Sequence, residues 1–127
     1  MEETKRAERR RFARVPLTVP VKYRAFRNDS VFHTSFNIGR TKDISMGGLK
    51  CAVSRHNPVD AKLDMEIDLS DTLSAYVVAK VVGGEDQVIN GIVHRFDRVS
   101  FLEMDKDVQD LLMRLVFENM RKSGIKA

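Results

Sequence analysis

The sequence predicts a mainly β domain, an antiparallel barrel or sandwich closed by one C-terminal helix. Three observations carry this reading. Segments that alternate apolar and polar residues recur along most of the chain, most cleanly in KLDMEIDLS at residues 62–70. Short turns separate these segments, with no helical pattern between them. Near residue 105 the apolar period changes from two to about 3.6.

The first strand is read from TVPVKYRAF, residues 18–26, where Val19, Val21, Tyr23 and Ala25 share one face and Lys22 and Arg24 the other. Pro16 and Pro20 exclude a helix here and confine the start of the strand to an edge or a bulge. VFHTSFNIGRTKDI, residues 31–44, is a second extended stretch with Phe32, Thr34 and Phe36 on one face, running into a turn at Gly47-Gly48. GLKCAVS follows, presenting Leu49, Cys51 and Val53 to one side. After the turn RHNPVDA, Leu63, Met65, Ile67 and Leu69 alternate with Lys62, Asp64, Glu66 and Asp68. SAYVVAKVVG is a further strand, expected to break at Gly83-Gly84, and VINGIVHRFDRVSF is read as the last. In the C-terminal segment Val108, Leu111, Leu112, Leu115 and Val116 form one helical stripe. Asp105 suits the N-cap, Asp107 the positive helix start, Arg121 and Lys122 the negative end, and Gly124 the stop. Met113, Phe117 and Met120 widen the stripe. The simpler expectation packs them on the sheet; the other has them meet a partner helix, which leaves room for a homo-oligomer.

The length of 127 residues fits one domain, and 43% hydrophobic residues suffice for one core. Residues 1–8 read as a mobile arm and residues 9–123 as the domain. No apolar run approaches the ~20 residues that span a bilayer, so no membrane insertion is expected. The opening MEETKRAERRR places charges where a signal peptide needs its apolar region, which makes the cytoplasm the expected location. The single Cys51 excludes an internal disulfide and a cysteine-rich metal site. His33, His56 and His94 are far apart in sequence and read as surface or strand residues, not as zinc ligands. The net charge of +4 is largely local, because residues 1–14 hold six basic and three acidic side chains.

Two short stretches carry the functional signal. ERRRFAR, Glu8 to Arg14, wraps four arginines around one phenylalanine. A guanidinium forks onto a phosphate, a carboxylate or the acceptor edge of guanine, and it stacks on a base. On a helix Arg10 and Arg14 would share a face; in a loop they could curl around one ligand. The Val15-Pro16 step favours the loop. Alone, the cluster fits equally a solvated basic tail that touches nucleic acid or lipid without specificity. DISMGG, Asp43 to Gly48, is the second stretch. Asp43 and Ser45 are two apart on an extended chain and are expected on the same side. A carboxylate accepts from guanine N–H groups, a hydroxyl binds phosphate or a base edge, and the glycines are expected to turn the backbone through positive φ. Alone, this stretch fits a plain turn as well.

Taken together and in this order, Arg10-Arg11-Phe12-Ala13-Arg14 and Asp43-Ile44-Ser45-Met46-Gly47-Gly48 resemble the paired signature of the PilZ domain family. The resemblance extends from about Arg9 to Arg121. It implies a six-stranded antiparallel β-barrel with a C-terminal α-helix, and binding of the bacterial second messenger cyclic di-GMP. It further implies that Arg10 and Arg14 grip guanine edges and phosphates, that Asp43 and Ser45 read guanine from the barrel, and that Gly48 permits close approach. An arginine in the place of Arg9 accompanies two stacked ligand molecules in that family.

The expected function is therefore a non-enzymatic cyclic di-GMP receptor that acts through an unidentified effector protein and needs no cofactor. No nucleophile with an adjacent base, metal set or phosphate-loop glycine pattern points to catalysis. A nucleic-acid module using the basic arm is the second reading, weakened because only Phe12 interleaves the arginines. A structural adaptor with a silent site is the third, weakened by the intact motif residues.

Overall fold

The computed structural model describes residues 14–26 and 36–122. In chain order it contains β1 (Val15–Pro16), β2 (Pro20–Ala25), β3 (Asn37–Ile44), β4 (Gly48–Val53), β5 (Lys62–Ser70), β6 (Leu73–Ile89), β7 (Ile92–Met104) and the helix α1 (Lys106–Lys122). The long strands are neighbours in the order β3-β2-β5-β6-β7-β4, and β4 returns to pair with β3. All pairings are antiparallel, so the pairings build a closed six-stranded barrel and not a sandwich. The two-residue β1 is a stub added to the far end of β3.

Period-two patterning fills the barrel. Val21 and Tyr23 of β2, Leu63, Met65 and Ile67 of β5, Ala75, Val77, Ala79 and Val81 of β6, and Leu49, Cys51 and Val53 of β4 all point inward and are buried. Each large apolar side chain so placed contributes about 1.5–3 kcal/mol of burial. The first strand is shorter than its alternation suggested: Val19 is half-buried and Ala25 is exposed. Proline explains the start, since Pro20 is tolerated as a strand's first residue. Phe36 is exposed, whereas Phe32, Thr34 and Gly124 lie outside the described residues.

Two strand expectations are corrected. β6 does not break at Gly83-Gly84; it runs on to Ile89. A Cβ on Gly83 would meet the Arg98 guanidinium at 2.6 Å, and one on Gly84 would meet His56 Nδ1 at 2.9 Å. These glycines make room for side chains that cross the strand, and they do not end it. Likewise VINGIVHRFDRVSF is not one strand. Asn90 and Gly91 form the tip of the β6–β7 hairpin with φ of 52° and 79°, as the two-residue turn of a twisted hairpin requires.

The helix covers one end of the barrel. Leu112, Val116 and Met120 enter the same core cluster as Val15 and Ile44, and α1 packs against β1 and β6. Asp105 directly precedes the helix, and its carbonyl accepts from the Gln109 amide at 2.9 Å, as an N-cap residue's carbonyl does. Met120 thus packs as the simpler expectation had it. Met113 and Phe117 do not; both remain exposed. No helix among the described residues is long and apolar enough to cross a membrane.

Candidate functional site

The register of the short β1 strand sets the geometry of the site. Val15 pairs with Ile44, and Pro16 pairs with Asp43. Val15 is fully buried and belongs to the core. It pins the chain at that point, and Arg14 stands one residue before it, exposed and in irregular backbone. Arg14, the last arginine of the first motif, therefore stands two residues before the partner of Asp43. Arg14 and Asp43 are brought to one edge of one strand; Arg9 and Arg10 lie outside the described residues.

Asp43 occupies the outer side of β3, while its neighbour Ile44 is buried inside. A register shift between Thr41 and Asp43 marks a bulge there, a device that re-aims side chains at the rim of a barrel. Thr41 is the inward residue before it; its hydroxyl donates to the Leu17 carbonyl and accepts from the Val19 amide at 2.9 Å, which fixes the segment between β1 and β2. The Asp43 Oδ1 atom is buried and has no hydrogen-bond partner among the described residues. A carboxylate oxygen in that condition is costly unless a donor arrives.

Ser45 stands where β3 passes into the turn to β4. The strand ends at Ile44, and Ser45, the next residue, is buried. Its hydroxyl donates to the Gly48 carbonyl at 3.3 Å and accepts from the Gly47 amide at 3.2 Å, while its own amide donates to the Gly48 carbonyl at 2.8 Å. Ser45 thus locks the β3–β4 turn. Nor do Gly47 and Gly48 adopt positive φ; among the described glycines only Gly91 does. Gly48 is needed for a different reason. A Cβ there would run into the Val99 carbonyl of β7, so the missing side chain lets β4 lie close to β7.

Beside Asp43 the pairings build a row across the outer face. Asp43 is opposite Lys50, Lys50 opposite Arg98, and Arg98 opposite Gly83. The Lys50 ammonium is held by Glu85, and this contact first, then a hydrogen bond from Gln87, holds the Glu85 carboxyl below its ordinary value. Gln87 also accepts from Lys42 Nζ at 3.0 Å, and the same ammonium sits 4.5 Å above the Phe96 ring. This face carries three cations, Lys42, Lys50 and Arg98, against two carboxylates, Asp43 and Glu85, the second of which pairs with Lys50. Among the described residues no three His, Cys, Asp or Glu side chains gather to hold a metal ion.

Comparison with known proteins places this barrel. The family model for the PilZ domain matches residues 8–118. The chain belongs to the PilZ domain family. The PilZ domain of YcgR from Escherichia coli, solved with c-di-GMP, superposes with a TM-score of 0.68 at 17% identity, covering 91% of this chain and 94% of that one. MotI/DgrA, the inhibitor of motility of Bacillus subtilis, gives a TM-score of 0.70 at 13% identity over 87% of this chain and 51% of that one. MrkH of K. pneumonia in complex with c-di-GMP gives 0.66 at 19% identity over 88% and 54%. The chain thus spans the isolated YcgR domain but about half the length of MotI and MrkH. No curated protein matches.

This PilZ domain carries a second polar cluster that the sequence did not reveal. Asp97 of β7 is completely buried. Its Oδ2 accepts from the Asn57 amide at 3.0 Å and from Asn57 Nδ2 at 2.9 Å, and its Oδ1 lies 2.8 Å from His56 Nδ1. His56 Nε2 lies 2.6 Å from Asp86 Oδ1 on β6. One carboxylate thereby fastens the β4–β5 connection to the barrel. The residues stand 30 to 41 positions apart, so no spacing rule could have joined them. Burial, followed by the nearby Asp97, pushes the Cys51 thiol up to about 12, so that thiol stays protonated and unreactive.

The His56 bridge makes a pH prediction. A neutral imidazole has one N–H and can satisfy one carboxylate, whereas the imidazolium satisfies both. The hydrogen bond with Asp97, then that with Asp86, accordingly raises the His56 pKa. A raised folded-state value contributes stability that is full below the unfolded value of about 6.5 and is lost as pH rises through the folded one. Thermal melts between about pH 6 and pH 9 should show a declining midpoint that flattens in His56→Gln. An equal slope in both proteins would remove His56 from the account.

Proposed function

We propose that this chain is a receptor for cyclic di-GMP that reports the ligand to a separate effector protein. The observation that carries the reading is the pairing of β1 with β3 at Asp43, two residues after Arg14. It joins the root of the arginine segment to the carboxylate of the second motif. In this reading Arg10 and Arg14 fork onto guanine edges and phosphates, and Arg9 supports a second, stacked ligand molecule. Asp43 reads the guanine ring N–H and amino group, which supply the donors that its buried Oδ1 lacks among the described residues. Ser45 keeps the turn in shape and offers its remaining lone pair. Gly48 permits close approach of the ligand to the backbone. The excess of cations on the outer face suits a ligand with two phosphate charges.

Ordering the arginine segment costs roughly 1–2 kcal/mol per residue, and charge-assisted bonds of about 1.5–3 kcal/mol each offset it. That ordering changes the surface shown to a partner and serves as the output. The chain acts without catalysis, and motility, secretion and polysaccharide synthesis are the processes in view. The neighbours that carry c-di-GMP in their structures, the YcgR domain and MrkH, support the ligand, and the motility inhibitor MotI supports the class of output.

Titration calorimetry with cyclic di-GMP, linear GpGp and cyclic di-AMP is the test. Heat with cyclic di-GMP alone, at two molecules per protomer, is expected. Equal response to the linear dinucleotide, with steep loss in salt, would mark a general nucleic-acid binder instead. Asp43→Ala should weaken binding at least about tenfold, the worth of one charged hydrogen bond, and leave the ligand-free melting temperature unchanged. A large fall in that temperature would make Asp43 a residue of the fold only.

A further inference from the structure

Two large apolar side chains of α1 are left on the surface: Met113 is 41% exposed and Phe117 is 50% exposed. They do not extend the packed stripe, which ends with Leu112, Val116 and Met120 in the core. They belong to a separate line of side chains down the outer face, Lys106, Asp110, Met113, Phe117 and Arg121, all exposed and at the spacing that makes helical neighbours. The centre of this line is apolar. Next above it sits the Asp110 carboxylate, with the Lys106 ammonium one turn further, and below it the Arg121 guanidinium.

We infer that this line docks on the same line of a second copy, with the two helices antiparallel. Charge decides both the partner and its direction. In a parallel pair Asp110 would face Asp110 and Arg121 would face Arg121, and like charges in register are repelled. Turning one helix about the midpoint of Met113 and Phe117 brings Met113 against the phenylalanine of the copy. It also sets Asp110 beside the copy's arginine at position 121. Both ends gain an opposite charge from a single operation, so the surface is self-complementary under a two-fold axis. A thioether against an aromatic ring is a favourable contact, and antiparallel helix dipoles attract. Four apolar side chains bury far less than the roughly 800 Å² per partner of a standard interface, so the dimer is weak and depends on concentration. The inference does not rest on cyclic di-GMP binding.

Sedimentation equilibrium of the full chain from about 10 μM to about 1 mM, the range of weak association, tests it. Dimer should grow through the upper part of that range. Phe117→Glu should remain monomeric throughout. Asp110→Arg and Arg121→Asp should each weaken association at least fivefold, and the two together should restore it, because the exchanged charges face each other again. Circular dichroism verifies the helix in every variant. Should the charge exchange disturb the helix, the exposed position of Phe117 keeps its variant decisive. A wild-type chain that stays monomeric at about 1 mM, or a Phe117→Glu chain that dimerises like wild type, overturns the inference and gives the line to another occupant such as the effector protein.

Discussion

Replacing Arg14 or Arg10 with alanine should reduce cyclic di-GMP affinity by at least about 100-fold while leaving the ligand-free melting temperature where it is. A forked guanidinium makes two charge-assisted bonds of about 1.5–3 kcal/mol each, and each ~1.4 kcal/mol is a factor of ten. Arg14 is exposed and precedes the buried anchor Val15, so truncating it removes no core contact. Lysine at either position should recover only part of the loss, because an ammonium cannot fork. Calorimetry gives the affinities and a melt of the ligand-free protein gives the control. Undiminished affinity in Arg14→Ala would remove the arginine segment from the site, and with it the reason for placing the site at Asp43. Gly48→Ala is the wrong probe for the same question. Its new Cβ strikes the Val99 carbonyl, so binding would be lost through the barrel whether or not the ligand touches that residue.

Most of the fold was legible because a small barrel must alternate. The pattern in Lys62–Ser70 predicts its burial residue by residue, and the stripe through Leu112 and Val116 predicts the covering helix. The readings that failed share one cause. By local rules Gly83, Gly84 and Gly48 read as breakers or as positive-φ residues, because those rules treat glycine as punctuation. Their meaning here is tertiary: each leaves room for an atom of a distant strand or side chain. Asn90-Gly91 was the opposite case, a strong hairpin signal hidden inside a run of β-branched residues. Of the candidate site, the motifs gave its residue types. Their juxtaposition came from the β1–β3 register, which no one-dimensional pattern encodes.

Asp97→Ala should destabilise the protein by about 3–5 kcal/mol, the usual consequence of breaking a buried charged network by removing one partner. For a domain of this size the melting midpoint should then fall by roughly 10 °C or more. Asp97 is completely buried and accepts three contacts from two residues of the β4–β5 connection. Without it the Asn57 amide and side chain lose their acceptor, and His56 keeps Asp86 alone. Asp97→Asn should cost less but not nothing. Its Oδ1 position can still accept, yet its NH₂ must face a donor, since both carboxylate oxygens serve as acceptors here. Hydrogen exchange separates this role from a general loss of packing: protection should vanish first around Ser54–Ala61 and only later in β5. Cyclic di-GMP affinity measured well below the new midpoint should change little, because Asp97 faces the barrel interior and Asp43 its exterior. A variant within about 1 kcal/mol of wild type, the range of an ordinary surface change, would mean that the connection holds its place without the carboxylate.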